Sequence, residues 1–454
     1  MRTKRSDQMY LNFSGMSTLK VVKEYRRRYG AIAAILDANP GVLAAAHRDL
    51  ARNLSESREG RRTKYTSEEI LRALIVMFIE GDSYRDVVVR IENSEFLRDF
   101  VGLGTRSMMD FTFLSRAFGC LSLKTWKDIN ERLRSYAVTN EKVSGKKLRA
   151  DTTVYEASIH HPTDSSLLWD SYRVLVRGLR RIRKEYPGLN LTHRFHDRRV
   201  KKLYLFISRT AGSKSKRKQR RVKSTYRDLI EAVERVVGLS DRVVALLPMT
   251  DPYAVELDHF RSLARRVIYQ ARCRVLEGKQ LCADEKLYSI FEEHTELLKR
   301  GKARKPIEFG HKVLIGQTAE KFITQYQVMR RRREDKDLVD EVIASHVKTF
   351  GAKPEVLSAD KGFYESMKKL AELSEDIETV SICKKGRRNE EEWERESSDA
   401  FMAGQRFRAG IEGTISVLKR AFKLFRCLFK GFKNYAASVG CAVFCHNLVL
   451  LTRL

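Results

Sequence analysis

The chain of 454 residues carries 88 Lys and Arg against 58 Asp and Glu, which gives it a formal net charge of +30. With 43% hydrophobic residues it can bury a large core over two or three domains, which excludes wholesale disorder, a collagen-like chain and a disulfide scaffold. It is too basic for an ordinary metabolic enzyme. An excess of positive charge this large is typical of proteins that bind a polyanion, most often nucleic acid.

The cysteines and the apolar runs indicate in which cellular compartment the protein is located. The seven cysteines are scattered and form no CxxC pair, which predicts reduced thiols. The basic first residues are followed by no apolar stretch long enough for a signal peptide. The apolar run from Ala436 to Leu451 is shorter than a membrane span and is interpreted as a buried core helix. We therefore expect a cytoplasmic protein with no membrane partner.

Residues 1–140 are predicted to be all-helical. Helical spacing continues to about residue 54, and the polar stretch 55–64 has the composition of a linker. Thr66 and Glu69 then form a capping-box pattern before an apolar run, and helical periodicity continues to about Tyr136. The short turns that divide this block suit a helix-turn-helix-like DNA-binding unit. They suit a helical scaffold equally well.

The period changes from helical to two-residue alternation near Gly145. The alternation places Asp151 on the polar face of a strand. Helical periodicity returns at about 165–300 and is interpreted as a helical insertion. Later segments predict strands at 309–316, 322–329, 355–360 and 379–383, and helices at 337–350 and from about 402. Strands and helices in this order predict an α/β (α+β) domain over 141–454.

Three acidic residues lie where such a domain could use them chemically. Asp151 lies on the first strand, Asp360 closes the strand at 355–360, and Glu412 borders an apolar helical stripe. Their carboxylates are hard oxygen donors that suit one or two Mg²⁺ or Mn²⁺ ions, which would support two-metal phosphodiester chemistry. Their spacing matches no short motif. The alternative is that both aspartates cap turns and that Glu412 forms a helical ion pair with Arg408.

Three segments carry a family resemblance: ADTTVYEASIHHPTDSSLL from residue 150, SADKGFY from residue 358 and RAGIEGTISVLK from residue 408. They resemble bacterial insertion-sequence transposases of the DDE class, closest to the ISNCY group. The resemblance implies a ribonuclease-H-like domain with acids on the first strand, after the fourth strand and on a late helix, here Asp151, Asp360 and Glu412. Related families share an aromatic, Arg, Glu, Lys signature. This chain departs from it, because Gln405 stands where the aromatic residue is usual.

The resemblance implies a DNA transposase that uses Mg²⁺ or Mn²⁺, with two ions expected, to cleave double-stranded DNA at the element's terminal inverted repeats and to join it to target DNA. It also implies at least a dimer on DNA and a bacterial, nucleoid-associated location. Two alternatives remain open. One is a metal-dependent nuclease without strand transfer, and the other is a domesticated regulator that binds DNA without catalysis.

Basic residues near the acids and in several runs are candidates for phosphate contacts. The predicted contacts are Arg408, Lys419, Lys361, Lys423, Arg217, Arg220, Arg221 and Arg331. Two roles are open for Trp169, which could pack the first inserted helix or stack on an unpaired base.

Overall fold

The structure, a computed structural model, describes residues 19–54, 64–248, 250–299 and 306–454. Its α-helices within these ranges are α1 Lys20–Asp37, α2 Pro40–Asn53, α3 Ser67–Ile79, α4 Tyr84–Glu92, α5 Glu95–Val101, α6 Phe111–Cys120, α7 Leu123–Thr139, α8 Asp164–Glu185, α9 Asp197–Thr210, α10 Lys216–Leu246, α11 Pro252–Ala271, α12 Val339–Phe350, α13 Met367–Ser374, α14 Glu390–Ser397, α15 Asp399–Arg420 and α16 Gly431–Leu451. The strands are β1 Lys147–Ala157, β2 Glu296–Lys299, β3 Ile307–Thr318, β4 Ile323–Val328, β5 Val356–Ala359, β6 Thr379–Ile382 and β7 Arg426–Cys427. Apart from Lys64, the predicted linker lies outside the described residues.

The predicted capping box is confirmed at the start of α3. The Glu69 amide donates to the Thr66 hydroxyl at 3.2 Å, and the Thr66 amide donates to the Glu69 carboxylate at 3.0 Å. These two bonds satisfy amides that the first turn of a helix leaves without partners. A capped start and a long apolar run therefore fix this helix from local sequence.

The strands form a mixed sheet, so the predicted combination of α and β structure is confirmed. The order along the sheet is β2-β3-β1-β5-β6, with β4 also paired with β3 and β7 with β1. Strands β1, β5 and β6 run parallel, whereas β2 and β4 run antiparallel to β3. Strand β2 lies in a segment that we expected to be entirely helical. Its four residues are too few to show a two-residue alternation, and its bonds to β3 are not visible in the local sequence.

The chain divides into two compact units, residues 1–156 with 311–454, and residues 157–310. In the first unit α3 and α7 share a hydrophobic core with α16. No boundary between units falls at the predicted division, 140/141, so that division of roles remains a prediction. The second unit contains the predicted helical segment, and α8, α9, α10 and α11 surround their own core.

The apolar run near residue 440 forms α16, in agreement with its interpretation as a core helix. Within the described ranges, Gly431–Leu451 is the single helix long and apolar enough to cross a membrane, and 83% of its apolar window is buried inside the protein. The helices Lys20–Asp37 and Pro40–Asn53 pass the same test only as a pair bent by 78°. Core helices of soluble proteins have the same length and composition.

Candidate functional site

The central strands have one apolar face and one polar face. On the apolar face Leu148 of β1, Leu357 of β5 and Ile382 of β6 pack in a core to which α12 and α13 also contribute. On the opposite face Arg149, Ser358 and Ser381 occupy neighbouring positions of the same strands, with side chains exposed by 4%, 0% and 0%. Buried polar groups need hydrogen-bond partners, so we expect this face to make polar contacts and not only apolar packing.

Asp151 and Asp360 continue this polar face at the carboxyl end of β5. The last paired positions of β1 and β5 are Ala150 and Ala359, in parallel register. Asp151 is the next residue of β1, and Asp360 is the first residue after β5. The two therefore follow paired positions of neighbouring strands, which lie about 4.8 Å apart in a sheet. The fold thus brings together two of the three predicted acids, although they are far apart in sequence.

The surroundings of Asp151 disfavour its negative charge. Burial raises its pKa, and the carboxylates of Asp360 and Asp335 raise it further. The Thr152 amide, which donates to Asp151 Oδ1 at 2.7 Å, and the Arg408 guanidinium act in the opposite direction. The net result is a pKa of about 6 instead of 3.8. The charges of Asp151 and Asp360 repel each other, and a cation bound beside them would relieve this repulsion.

Helix α15 covers the polar face closely. A Cβ atom at Gly404 would lie 2.5 Å from Ser381 Cβ and 3.2 Å from Ser358 Oγ, so only glycine allows this approach. One residue later, Gln405 donates to the Ser381 carbonyl at 2.8 Å and to its hydroxyl at 3.0 Å. Gln405, which departs from the family pattern, therefore fastens α15 to β6.

Arg149 fastens the same helix to β1 and β3. Its Nε donates to Gln317 Oε1 at 2.8 Å, and its Nη1 donates to the Phe407 carbonyl at 2.7 Å. Gln317 donates in turn to the Thr414 hydroxyl at 2.8 Å. A buried guanidinium with charge-assisted bonds to two elements holds them in one geometry. Arg149 thus positions α15, and with it Arg408, relative to Asp151.

The third predicted acid, Glu412, lies on the outer side of α15. Its side chain is 64% exposed and pairs with Arg408 Nη2 at 3.2 Å, which is the helical ion pair that the alternative interpretation anticipated. Asp360 also caps a turn, because it accepts the Lys361 amide at 2.7 Å. Arg408 is only 20% exposed, and its Nε is buried without an acceptor among the described residues.

Sequence reasoning missed Asp335. This residue raises the pKa of Asp151, and its Oδ2 lies 2.9 Å from the position that a Cβ atom would take at Gly362, in the turn after Asp360. Its Oδ1 accepts from Lys312 Nζ at 3.0 Å. The signal was hidden because the four arginines at 330–333 are followed by Glu334, Asp335, Lys336 and Asp337. A run of charges of both signs resembles a solvated charge cluster.

The donor chemistry of this site suits a hard cation in part. Asp151 on β1 and Asp360 directly after β5 offer carboxylate oxygens, which are ligands that Mg²⁺ prefers. Glu412 would have to leave Arg408 to join them. Across the ranges that the structure describes, no group of three or more His, Cys, Asp or Glu side chains is arranged to hold a metal ion. The two aspartates therefore fit the expected metal, whereas Glu412, paired with Arg408, is not positioned as a third ligand.

The predicted DNA contacts are divided between the two units. Lys361 and Arg331 are exposed in the first unit, whereas Arg217, Arg220 and Arg221 are exposed on the first turns of α10 in the second unit. Lys419 is half-buried. Lys423 is also half-buried, and although Asp82 and Asp86 lie close enough to raise its pKa, burial lowers it. Of these lysines, Lys361 is the best placed for a phosphate near Asp360.

Comparison with known proteins adds no relative. No protein-family model matches the sequence, and no curated protein or solved structure matches it either. The geometry of this site and the resemblance of its three sequence segments are therefore the grounds for a function.

Proposed function

We propose that this chain is a DNA transposase of the DDE class, with Asp151, Asp360 and Glu412 as its acidic residues. The observation that carries the proposal is the juxtaposition of Asp151 on β1 with Asp360 directly after the adjacent parallel strand β5, together with a raised pKa at Asp151. Asp151 is on the first strand of the first unit, Asp360 follows the fourth strand of that unit, and Glu412 is on a late helix. This is the distribution that a ribonuclease-H-like domain implies, with residues 157–310 as its insertion.

The residues of the chain suggest how phosphate is held at the site. Arg408 lies near Asp151, and a guanidinium in this position can donate to a phosphate oxygen of the scissile group. Lys361 is exposed next to Asp360 and can bind an adjacent phosphate. Burial of Asp151 limits water around its carboxylate, which strengthens any electrostatic contact made there.

Asp151 and Asp360 would hold Mg²⁺ or Mn²⁺, and Glu412 would complete the set after separating from Arg408. The metal would supply activation of the attacking water or 3′-hydroxyl and stabilisation of the leaving oxygen in an in-line displacement. The proposed partners are double-stranded terminal repeats and target DNA. Because two ends must be joined together, the active form would be a dimer or a larger oligomer.

The test is a cleavage and joining assay with duplex DNA that carries the ends of the chain's own element. We expect joined products only when Mg²⁺ is present, and we expect Asp360→Ala to reduce them to background, because it removes one of the two adjacent carboxylates. Circular dichroism of the variant checks that it folds. Cleavage without joining would favour the nuclease, and binding without cleavage in either protein would favour the regulator.

A second variant tests whether Glu412 joins the site. We expect Glu412→Gln to lower cleavage on the order of 100-fold, as the loss of a charge-stabilising group does at active sites. The melting temperature should hardly change, because an exposed helical ion pair contributes less than about 1 kcal/mol. Cleavage rates and thermal melts measure the two effects.

The matched control is Glu372→Gln, which removes a glutamate from a comparable pair, with Lys369 at 3.8 Å, away from the site. Full activity of Glu412→Gln would remove Glu412 from the proposed set. Asp335→Asn would then be the next variant to assay.

A further inference from the structure

 The second unit contains a small cavity between α8 and α9, with a volume of about 280 Å³. This volume is just below the range of roughly 300–1,000 Å³ that is usual for ligand pockets. Its walls include Trp169 and Tyr172 from α8 and Lys201 from α9. A space of this size has room for one ring system.

Aromatic rings form one wall of this cavity. The rings of Trp169 and Tyr172 are 6.0 Å apart at 15°, and those of Trp169 and Tyr204 are 6.2 Å apart at 7°. Tyr172 is buried, whereas Trp169 is half-buried and lines the cavity. Trp169 therefore packs α8 against α9, which is one of the two roles that the sequence left open, and part of its surface stays exposed.

Basic side chains also line this cavity. Four of them line the cavity, namely Arg173, Arg180, Arg198 and Lys201. Two are engaged, because Arg173 pairs with Asp170 at 2.8 Å and Arg180 pairs with Asp197 at 2.7 Å. Arg198 and Lys201 are exposed and form no ion pair within 4.0 Å with any carboxylate in the described ranges. Their positive charge is available to an anion.

We propose that this cavity binds one unpaired nucleotide, with its base on Trp169 and its phosphate on Arg198 and Lys201. Aromatic side chains stack on unpaired bases, and Arg and Lys bind phosphate, so the two walls match the two halves of a nucleotide. A base stacked inside a duplex does not offer its face to such a cavity. The ligand could be a free nucleotide or a nucleotide within a single strand, since both have this chemistry.

The inference does not depend on the proposed cleavage reaction, because none of its residues belongs to the acidic site. The protein has three tryptophans, of which Trp126 is fully buried and Trp393 is 62% exposed. In a Trp393→Phe background, quenching of tryptophan fluorescence therefore reports on Trp169. The probes are a deoxynucleoside monophosphate, a short DNA single strand, an abasic strand of the same length and a duplex.

We expect the single strand to quench the fluorescence and the abasic strand and duplex not to do so. Trp169→Leu should abolish the quenching and weaken single-strand binding about tenfold, the usual effect of losing one stacked base. The double variant Arg198→Ala with Lys201→Ala should weaken it more than the control pair Lys202→Ala with Arg209→Ala, which removes two exposed cations of α9 that do not line the cavity. Quenching by the monophosphate would identify a free nucleotide as a ligand.

Several results would overturn the proposal. These are no quenching by either the monophosphate or the single strand, quenching by the abasic strand equal to that by the intact strand, or equal losses in the two double variants. Because both double variants change only exposed residues, this comparison stands even if Trp169→Leu fails to fold. Asp151 and Asp360 are unchanged in every variant, so failure here and failure of DNA cleavage are distinguishable.

Discussion

Replacing Asp151 by asparagine is expected to abolish metal-dependent cleavage and, at the same time, to stabilise the metal-free protein above pH 6. The carboxylate of Asp151 is disfavoured by burial and by the neighbouring Asp360 and Asp335, which raises its pKa from 3.8 to about 6. A raised pKa means that the folded state binds a proton more tightly than the unfolded state does. Stability from this group is present below pH 4 and is lost as the pH rises through 6.

Asparagine removes that loss because it has no charge. The shift of about two pKa units corresponds to at most about 3 kcal/mol. We therefore expect Asp151→Asn to melt several degrees above the wild type at pH 8 and to converge with it near pH 4. Thermal melts across this range measure the difference. Added Mg²⁺ should stabilise the wild type more than the variant, because the variant lacks one of the two carboxylates.

Asp49→Asn is a control with the opposite sign. Burial raises the pKa of Asp49, but hydrogen bonds from Thr125 and Ser122 outweigh burial and lower it. Stability from Asp49 is therefore present at neutral pH and is lost in acid, so this variant should be less stable than the wild type at pH 8. If Asp151→Asn were destabilised equally at pH 8 and pH 4, the charged form of the Asp151 carboxylate would not be disfavoured in the folded protein.

Replacing Gly410 by alanine is expected to destabilise the first unit by about 2–4 kcal/mol, through overpacking and the loss of charge-assisted hydrogen bonds. The added Cβ would collide with Arg149 Nη1 and lie 3.1 Å from its Cζ. Arg149 cannot easily move, because it is 4% exposed and bonded to Gln317 and Phe407. Moving it would separate α15 from the strand that carries Asp151.

Gly413→Ala in the same helix is the matched control. A Cβ at Gly413 would meet no atom within 4 Å, so alanine should stabilise the protein by about 0.5–1 kcal/mol through its helix propensity. Thermal or denaturant unfolding of the two variants measures opposite shifts. Two shifts of the same sign would show that helix propensity, rather than the position of Arg149, dominates at Gly410.

The elements that the sequence predicted are those whose structure depends on residues close by in the sequence. The capping box at Thr66 and the alternation around Asp151 are local patterns, and both elements are present in the structure. Strand β2 was not predicted, because its structure depends on pairing with β3. Local patterns therefore gave the elements, whereas pairing decided their arrangement.

The site was predictable to the same extent. A strand alternation selected Asp151, a strand end selected Asp360 and a helix pattern selected Glu412. The parallel register of β1 and β5 brings the first two close together. The exposure of Glu412 and the proximity of Asp335 depend on how α15 and the chain after β4 pack, which no spacing reveals. The bonds of Arg149 to Gln317 and Phe407 likewise depend on the fold, because both partners are far from Arg149 in the sequence.

The pairing of β1 with β5 also constrains the order in which the chain can fold during synthesis. Lys147 pairs with Val356, so β1 leaves the ribosome long before its partner does. Residues 157–310 emerge in between and contain their own helical core, so they can fold before β5 is synthesised and pairs with β1. The core of α3 and α7 is completed even later, because it includes residues of the C-terminal helix α16. Their apolar surfaces are therefore exposed during translation, which makes the nascent chain a candidate for chaperone binding.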